Sequence, residues 1–472
     1  MAVWAASANQ ELLLLRSELA ARRGFPLPEN HVPVALRLRG ELNAVAVQNA
    51  LSQLVQRHSA FRTGFKKALG AHPPGLRDCL LNVFQRTSAI IPGMYVQCIS
   101  SFANLPVEQK WLDTGQVSPD EEEIHRTVEL EATVGLDAET APIARATVLS
   151  VSTTEHILIL VLSHLISDIW SVQIFQREFA ALYSAYCSAR LLYWAPPLQH
   201  CEFVAWEHKQ IRSGAFDRQL RFWDSVWRAH PDALIWHKEL PFAKVSRDTE
   251  MPKPRVRTCG MTLTPAESDA VRRLAKALRV TPYVVVRTAL TVWLHFVTDR
   301  LDIGFWANFA NRTYPGSMQM FGYCATSHVI FSKLSRGLSA HSLCLDIANA
   351  TREAQENEAV SLAALWCLKA RSWTISDTRI TFDLWSTARP RHTQQDVEPY
   401  LARVGPPWMD LDVRVLAHQD VFEMFVTWNE ARYDSGGVLQ MARALRSLVA
   451  MITASDYSVA QLRNHFRTSA EV

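Results

Sequence analysis

The sequence predicts an α/β protein of two lobes, on three observations. Segments with strand period and helix period alternate from residue 32 onward. A fully apolar strand candidate at 156–162 is followed by a helix-spaced apolar stripe at 172–186. The proline pair Pro196-Pro197 then breaks the pattern before a second mixed region that runs to the end. At roughly 150 residues per domain the 472 residues would make about three domains, and two large lobes serve as well. The boundary is drawn between 1–192 and 193–472. Composition agrees with a folded globular chain: 48% hydrophobic, 20% charged, mean hydropathy −0.03.

The elements follow in order. Residues 1–24 read as an amphipathic first helix; no basic region precedes the apolar run and Glu11 and Glu18 interrupt it, so it is not a secretion signal. Residues 32–39 alternate, with Val34, Leu36 and Leu38 on one face and Arg37 and Arg39 on the other, which is a strand ended by Gly40. Asn43 then caps a helix with Val47, Leu51, Leu54 and Val55 on its apolar face. The stretch 66–117, with Pro73-Pro74, Pro92-Gly93 and Pro106, reads as loops and short elements. Ser118-Pro119 ahead of acidic residues 120–123 marks a helix start. Residues 143–152 and 156–162 are strands joined by a short turn, the second apolar throughout and so central. In the second region Thr281-Pro282 starts a helix to about Val297, residues 301–312 give strand then loop, 378–385, 412–417 and 421–428 are strand candidates, and 437–453 is a final helix.

Several function classes drop out. Lys+Arg 49 against Asp+Glu 46 leaves a net charge of +3, too balanced for a nucleic-acid footprint. The eight cysteines contain no C-x-x-C pair, so they read as reduced thiols and not as a zinc ribbon or disulfide framework. The apolar runs 156–162 and 283–297 are too short, or interrupted by Arg287 and His295, to cross a membrane, which needs about 20 apolar residues. No H-E-x-x-H, Walker A or G-x-G-x-x-G occurs, so no metal, nucleotide or dinucleotide is expected, and Ser163 lacks the flanking glycines of a nucleophile elbow.

The chemistry is concentrated at 162–171, where an apolar strand runs into Ser163-His164 and then, four residues later, Asp168. A histidine at a strand end suits general-base work, because its ordinary pKa of about 6.5 lets the surroundings set its protonation. The segment S-H-L-I-S-D-I resembles the H-H-x-x-x-D-G signature of nonribosomal peptide synthetase condensation domains, in the chloramphenicol-acetyltransferase-like superfamily. Four further stretches match in order. Ser7-Ala8-Asn9-Gln10 is similar to S-x-A-Q, residues 57–65 to R-H-E-x-L-R-T-x-F, and residues 202–206 to D-Y-A-V-W. Asn311-Arg312 with Phe321-Gly322-Tyr323 is similar to the A-N-R and I-G-x-F-V-N-T region.

The resemblance implies two chloramphenicol-acetyltransferase-like lobes in a V around a central tunnel. An acyl or peptidyl carrier protein brings the donor thioester on its phosphopantetheine arm, and a carrier-bound or free amine or hydroxyl accepts, giving amide or ester. No bound cofactor is implied, and a cytoplasmic monomer is expected. By position His164 matches the catalytic histidine. Asp168 matches the motif aspartate that braces the loop, with Arg312 as its expected partner, and Ser163 also supports the site. Trp170, Tyr323, Ser327 and His328 are candidate tunnel residues, while Arg57, Arg62 and Thr63 read as packing residues. The chain starts with methionine and shows no adenylation or carrier segment, so a free-standing enzyme is the expectation, with an excised domain the alternative.

Three departures stand out. Ser163 replaces the first histidine; Ile169 replaces the glycine, where a β-branched residue tolerates φ > 0 poorly; and Thr326-Ser327 and residues 357–362 replace later motifs. They leave open a docking module that recruits another enzyme to a carrier-bound chain. A transferase using a free CoA thioester is the third reading.

Overall fold

The computed structural model describes residues 1–22, 31–68, 95–112, 121–230, 239–244, 256–361, 380–386, 397–400, 411–418 and 420–470. The first half comprises β1 (Ala2–Ala5), α1 (Ala8–Arg22), β2 (His31–Arg39), α2 (Ala44–Arg57), β3 (Thr63–Lys67), β4 (Tyr95–Ile99), β5 (Val107–Trp111), α3 (Glu121–Ala132), β6 (Ala144–Ser152), β7 (Glu155–Ser163) and α4 (Ile169–Cys187). Then follow α5 (His200–Ser213), α6 (Asp217–Ala229), β8 (Val256–Thr262), α7 (Pro265–Leu278), α8 (Pro282–Thr298), β9 (Asp302–Phe309), β10 (Thr326–Lys333) and α9 (Ala340–Glu356). The chain closes with β11 (Ile380–Ser386), β12 (Val397–Tyr400), β13 (Leu411–Ala417), β14 (Phe422–Asn429), α10 (Ser435–Ala454) and α11 (Val459–Ala470).

The first lobe is built on a five-stranded sheet in the order β12-β2-β7-β6-β5. Its central strand explains its composition: Leu158, Leu160 and Leu162 pack into the core under α2 and α4, while Ile157, Ile159 and Val161 face Ile124 and Val128 of α3. With both faces covered, the strand is apolar from Ile157 to Leu162, and the buried His156 at its start is accommodated by a 2.9 Å hydrogen bond between its Nδ1 and Ser150 Oγ. Helix α2 starts where Asn43 Oδ1 accepts the Ala46 N–H at 2.9 Å and buries Val47, Leu51, Leu54 and Val55. The Arg57-His58 pair at its end is held by buried Glu178 of α4, 3.1 Å from Arg57 Nε and 2.7 Å from His58 Nε2. Arg62 donates to the carbonyls of Val55 and Ser100.

The second lobe carries a six-stranded sheet, order β10-β9-β11-β13-β14-β8. The strands β9, β11 and β13 run parallel and the outer pairs antiparallel. One face packs on residues of α7 to α11, including Val285, Ala289 and Leu448, and the other on Trp223 and Trp227 of α6. Among the described helices none is singly long and apolar enough to cross a membrane.

The structure corrects several expectations. A strand, β1, precedes the first helix, and the start of that helix is not amphipathic: Ser7, Asn9, Gln10 and Glu11 are all buried. In the described part of 66–117, read as loops and short elements, the short elements are the five-residue strands β4 and β5. Residues 437–453 do not end the fold, since α11 follows. A boundary at 192/193 does not contain β12, which pairs antiparallel with β2 of the first sheet, Val397 opposite Leu38. Pro282 opens α8, but Thr281 makes no side-chain cap bond. The expectations for Pro73-Pro74, Pro92-Gly93 and Ser118-Pro119 lie outside the described residues.

Candidate active site

The strand β7 delivers the chain into a compact turn made by Ser163. Its Oγ accepts the Leu165 N–H at 3.2 Å, and its carbonyl accepts the Ile166 N–H at 3.1 Å and the Ser167 hydroxyl at 2.9 Å. A serine standing where a histidine was expected thus organises the turn by local side-chain to backbone bonding. The turn leaves His164, half-buried, as the one residue from His156 to Asp168 that is not fully buried.

The His164 ring lies edge-on to Tyr323, with centroids 4.5 Å apart at 64°. Burial pushes the imidazole pKa below its ordinary value, against the opposing pull of its own backbone, the Asp168 charge and the Ser167 backbone. At neutral pH His164 is accordingly the uncharged imidazole, the form that accepts a proton.

Asp168 is occupied on all sides. It caps α4 by accepting the Ser171 N–H and hydroxyl, each at 2.8 Å. Arg312 Nη2 donates to both its oxygens at 2.7 and 2.8 Å, and the N–H groups of Cys324 and Ala325 add bonds of 3.0 and 3.1 Å. Burial raises its pKa, but the Arg312 charge and these donors outweigh it and hold the carboxyl below the usual range. Because Asp168 is the cap, Ile169 is the first helical residue, and it is absent from the positive-φ residues among those described. The β-branched replacement of glycine costs no strain there.

Arg312 is positioned by Asn311, a buried residue at φ 50° in the left-handed region that asparagine tolerates. Besides Asp168, the guanidinium donates to the carbonyls of Met320 and Gly322 at 2.9 and 3.1 Å. The Ser171 Oγ also accepts the Gly322 N–H at 3.0 Å and lies 3.0 Å from the Gly322 carbonyl, which shares the hydroxyl hydrogen with Asp168. His200 of α5, its pKa pushed down to about 4 by burial, lies 2.9 Å from the Tyr323 carbonyl through Nε2. A Cβ on Gly322 would sit 2.4 Å from His200 Cδ2. Gly322→Ala is therefore expected to lower the thermal midpoint, by an overpacking cost of about 1–3 kcal/mol, and to displace Tyr323. Calorimetry checks it.

The structure thus brings together Ser163, His164, Asp168, Arg312 and Tyr323. Trp170, half-buried, spans the lobes by donating Nε1–H to the Met318 carbonyl at 2.9 Å. Ser327 sits on β10 bonded to Asn308 across to β9. The tunnel assignment of His328 is corrected: next along the strand, it points to the opposite face, stacked on Trp223 at 4.2 Å and buried, its pKa pushed to about 3. Sequence reasoning did not single out Ser171 or His200 as site residues, and it gave no role to Asn9 or Gln10. Among the described residues no cluster of His, Cys, Asp or Glu could hold a metal ion.

Glu207 of α5 is a buried carboxyl whose pKa burial pushes up to about 7, with the Ala8 N–H pulling the other way. Its folded pKa lies above the unfolded value near 4.5, so its contribution to stability is fully present below about pH 4.5 and is lost as pH rises through about 7. Glu207→Gln should flatten that part of the stability–pH curve, measured by urea unfolding at pH 5 and pH 8.

The family model "Condensation domain" matches residues 78–461. The chain belongs to the condensation domain family. Condensation domains are amide-forming acyltransferases of nonribosomal peptide synthesis. This condensation domain is 25% identical over 435 residues to chondramide synthase cmdD of Chondromyces crocatus, covering 90% of this chain and 10% of that synthase's length. Its fold matches the first condensation domain of the CDA synthetase, with TM-score 0.77, 16% identity and coverage of 97% and 98% of the two chains. It also matches the X-domain solved in complex with OxyB from teicoplanin biosynthesis, with TM-score 0.71, 17% identity and coverage of 97% and 95%.

Proposed function

We propose that this condensation domain transfers an acyl or peptidyl group from the phosphopantetheine thioester of a carrier protein to an amine or hydroxyl acceptor, forming an amide or ester. The observation that carries the reading is the placement of His164, the one residue between His156 and Asp168 that is not fully buried, its pKa held down by burial, beside a carboxylate already filled by five donors. The acceptor's lone pair attacks the thioester carbonyl while His164 takes or holds the leaving proton. The tetrahedral intermediate collapses with cleavage of the C–S bond, and the proton passes to the departing thiolate. The products are the amide or ester and the free thiol of the carrier's arm. Two substrates aligned in one site supply the rest of the acceleration. Asp168 and Arg312 act as a brace across the lobes, and Tyr323, with Trp170 and Ser327 nearer the surface, lines the approach. All these groups come from one chain, so a monomer suffices.

The test is to supply an acyl-loaded carrier with a panel of amines and alcohols and identify the product by mass. An amide or ester of the loaded chain supports the proposal and names the acceptor class.

A second reading, a docking module that recruits a tailoring enzyme, is favoured by Ser163 in place of the first motif histidine and by the likeness to the X-domain solved with OxyB. It predicts carrier binding without transfer to any acceptor.

A further inference from the structure

The first turn of α1 reaches both walls of the His164 site, and nothing in the reaction scheme uses it. Ser7 and Gln10 form a reciprocal cap: the Gln10 N–H donates to Ser7 Oγ at 3.2 Å and the Ser7 N–H donates to Gln10 Oε1 at 2.8 Å. While its oxygen accepts from Ser7, the Gln10 amide nitrogen bonds onward, and Nε2 donates to the Leu165 carbonyl at 2.8 Å. Leu165 follows His164 directly, so this bond holds the peptide next to the imidazole. One residue earlier, Asn9 Nδ2 donates to the Ala325 carbonyl at 3.0 Å. Ala325 ends the 322–325 loop of the second lobe, whose Tyr323 ring meets His164. Gln10 is 0% exposed and Asn9 7%.

Two neighbouring amides on one helix turn thus fasten the His164 turn of the first lobe and the Tyr323 loop of the second. Burying such polar groups at a helix start is costly unless each is bonded, and here each bond ends on a strip of backbone flanking the site. A stretch needed only for packing would be filled by apolar residues, as Leu12 and Leu15 fill the next turn.

We propose that Gln10 and Asn9 are positioning residues for His164, setting the imidazole's depth and its separation from the Tyr323 wall across the lobe boundary. The inference rests on His164 being the reacting group. Releasing the Leu165 carbonyl lets the turn open and water reach the imidazole, which relieves the burial that holds its pKa down. A displaced base also slows chemistry without weakening binding, since a shift of about 1 Å can cost on the order of 100-fold.

The experiment uses the full chain carrying Gln10→Met, which keeps side-chain length and removes the donor, and separately Asn9→Ala, which serves if the first variant does not fold. The His164 titration is followed by NMR on histidine-labelled protein, with His164→Ala assigning the resonance. Single-turnover transfer is measured in parallel. The expected result is a His164 pKa that moves up toward its ordinary value in the variants, with kcat about 10- to 100-fold lower and an unchanged acceptor KM. A His164 pKa that stays in place in the folded variants overturns the inference, whatever turnover does. A pKa that rises in a protein that transfers nothing sustains the positioning role and removes the catalytic reading, so the two failures are separate.

Discussion

Replacing His164 by alanine is expected to lower the rate of acyl transfer by about 10²–10⁴-fold, the usual worth of a positioned general base, while the fold persists. The fold should persist because His164 is the one residue from His156 to Asp168 that is not fully buried, and the turn beneath it is made by Ser163 and Ser167, not by His164. The pH dependence is fixed by the direction of its shift. Burial holds the His164 pKa below its ordinary value of about 6.5, so the basic form prevails at neutrality and the wild-type rate falls only as pH drops below about 6.5. The residual rate of His164→Ala should lack that acid limb. Single-turnover rates from pH 5 to 8, with circular dichroism to report the fold, check both statements.

Arg312→Met is expected to cost about 3–5 kcal/mol of stability, the largest effect of any single change considered, because it leaves a carboxylate buried without its cation. Asp168 and Arg312 are 1% and 8% exposed, and their bond ties the cap of α4 to the loop that carries Gly322 and Cys324. The backbone N–H groups of Ser171, Cys324 and Ala325 remain to soften the loss. The double variant Asp168→Asn with Arg312→Met, which removes both charges, should recover part of it. Linkage adds a sign. The folded pKa of Asp168 lies below its unfolded value near 3.9, so the stabilisation is present above that value and is lost as pH falls through the folded pKa. Removing Arg312 takes that depression away, so the deficit of Arg312→Met relative to wild type should shrink as pH falls through the folded pKa of Asp168. Urea unfolding at neutral pH and an acid titration measure the two effects.

Much of this architecture was legible because it rests on local patterns. The alternation of 32–39, the strand at 156–162 with its apolar run from Ile157, the Asn43 cap and the helix-spaced stripe after 172 each follow from burial and hydrogen bonding within a few residues. The pairing of Asp168 with Arg312, 144 residues apart, came from resemblance and not from any pattern in the chain. What was missed is non-local or depends on which face a residue takes. Nothing at 397–400 signals that this strand leaves its neighbours to pair with β2. His328 was misplaced because adjacent residues on a strand face opposite sides, and only the pairing of β10 with β9 fixes which side is the core. The strain expected of Ile169 does not arise because Asp168 is an N-cap, which puts residue 169 inside the helix. Gln10 and Leu165 meet across 155 positions, a contact that no local pattern encodes.

The most direct measurement follows the intact mass of an acyl-loaded carrier protein with wild-type protein and with His164→Ala side by side, in the presence of an acceptor. Loss of the acyl mass with matching product in the wild type, and its retention with His164→Ala, is the result this account predicts. Equal transfer by both proteins, or binding of the carrier by both with no transfer by either, would contradict it.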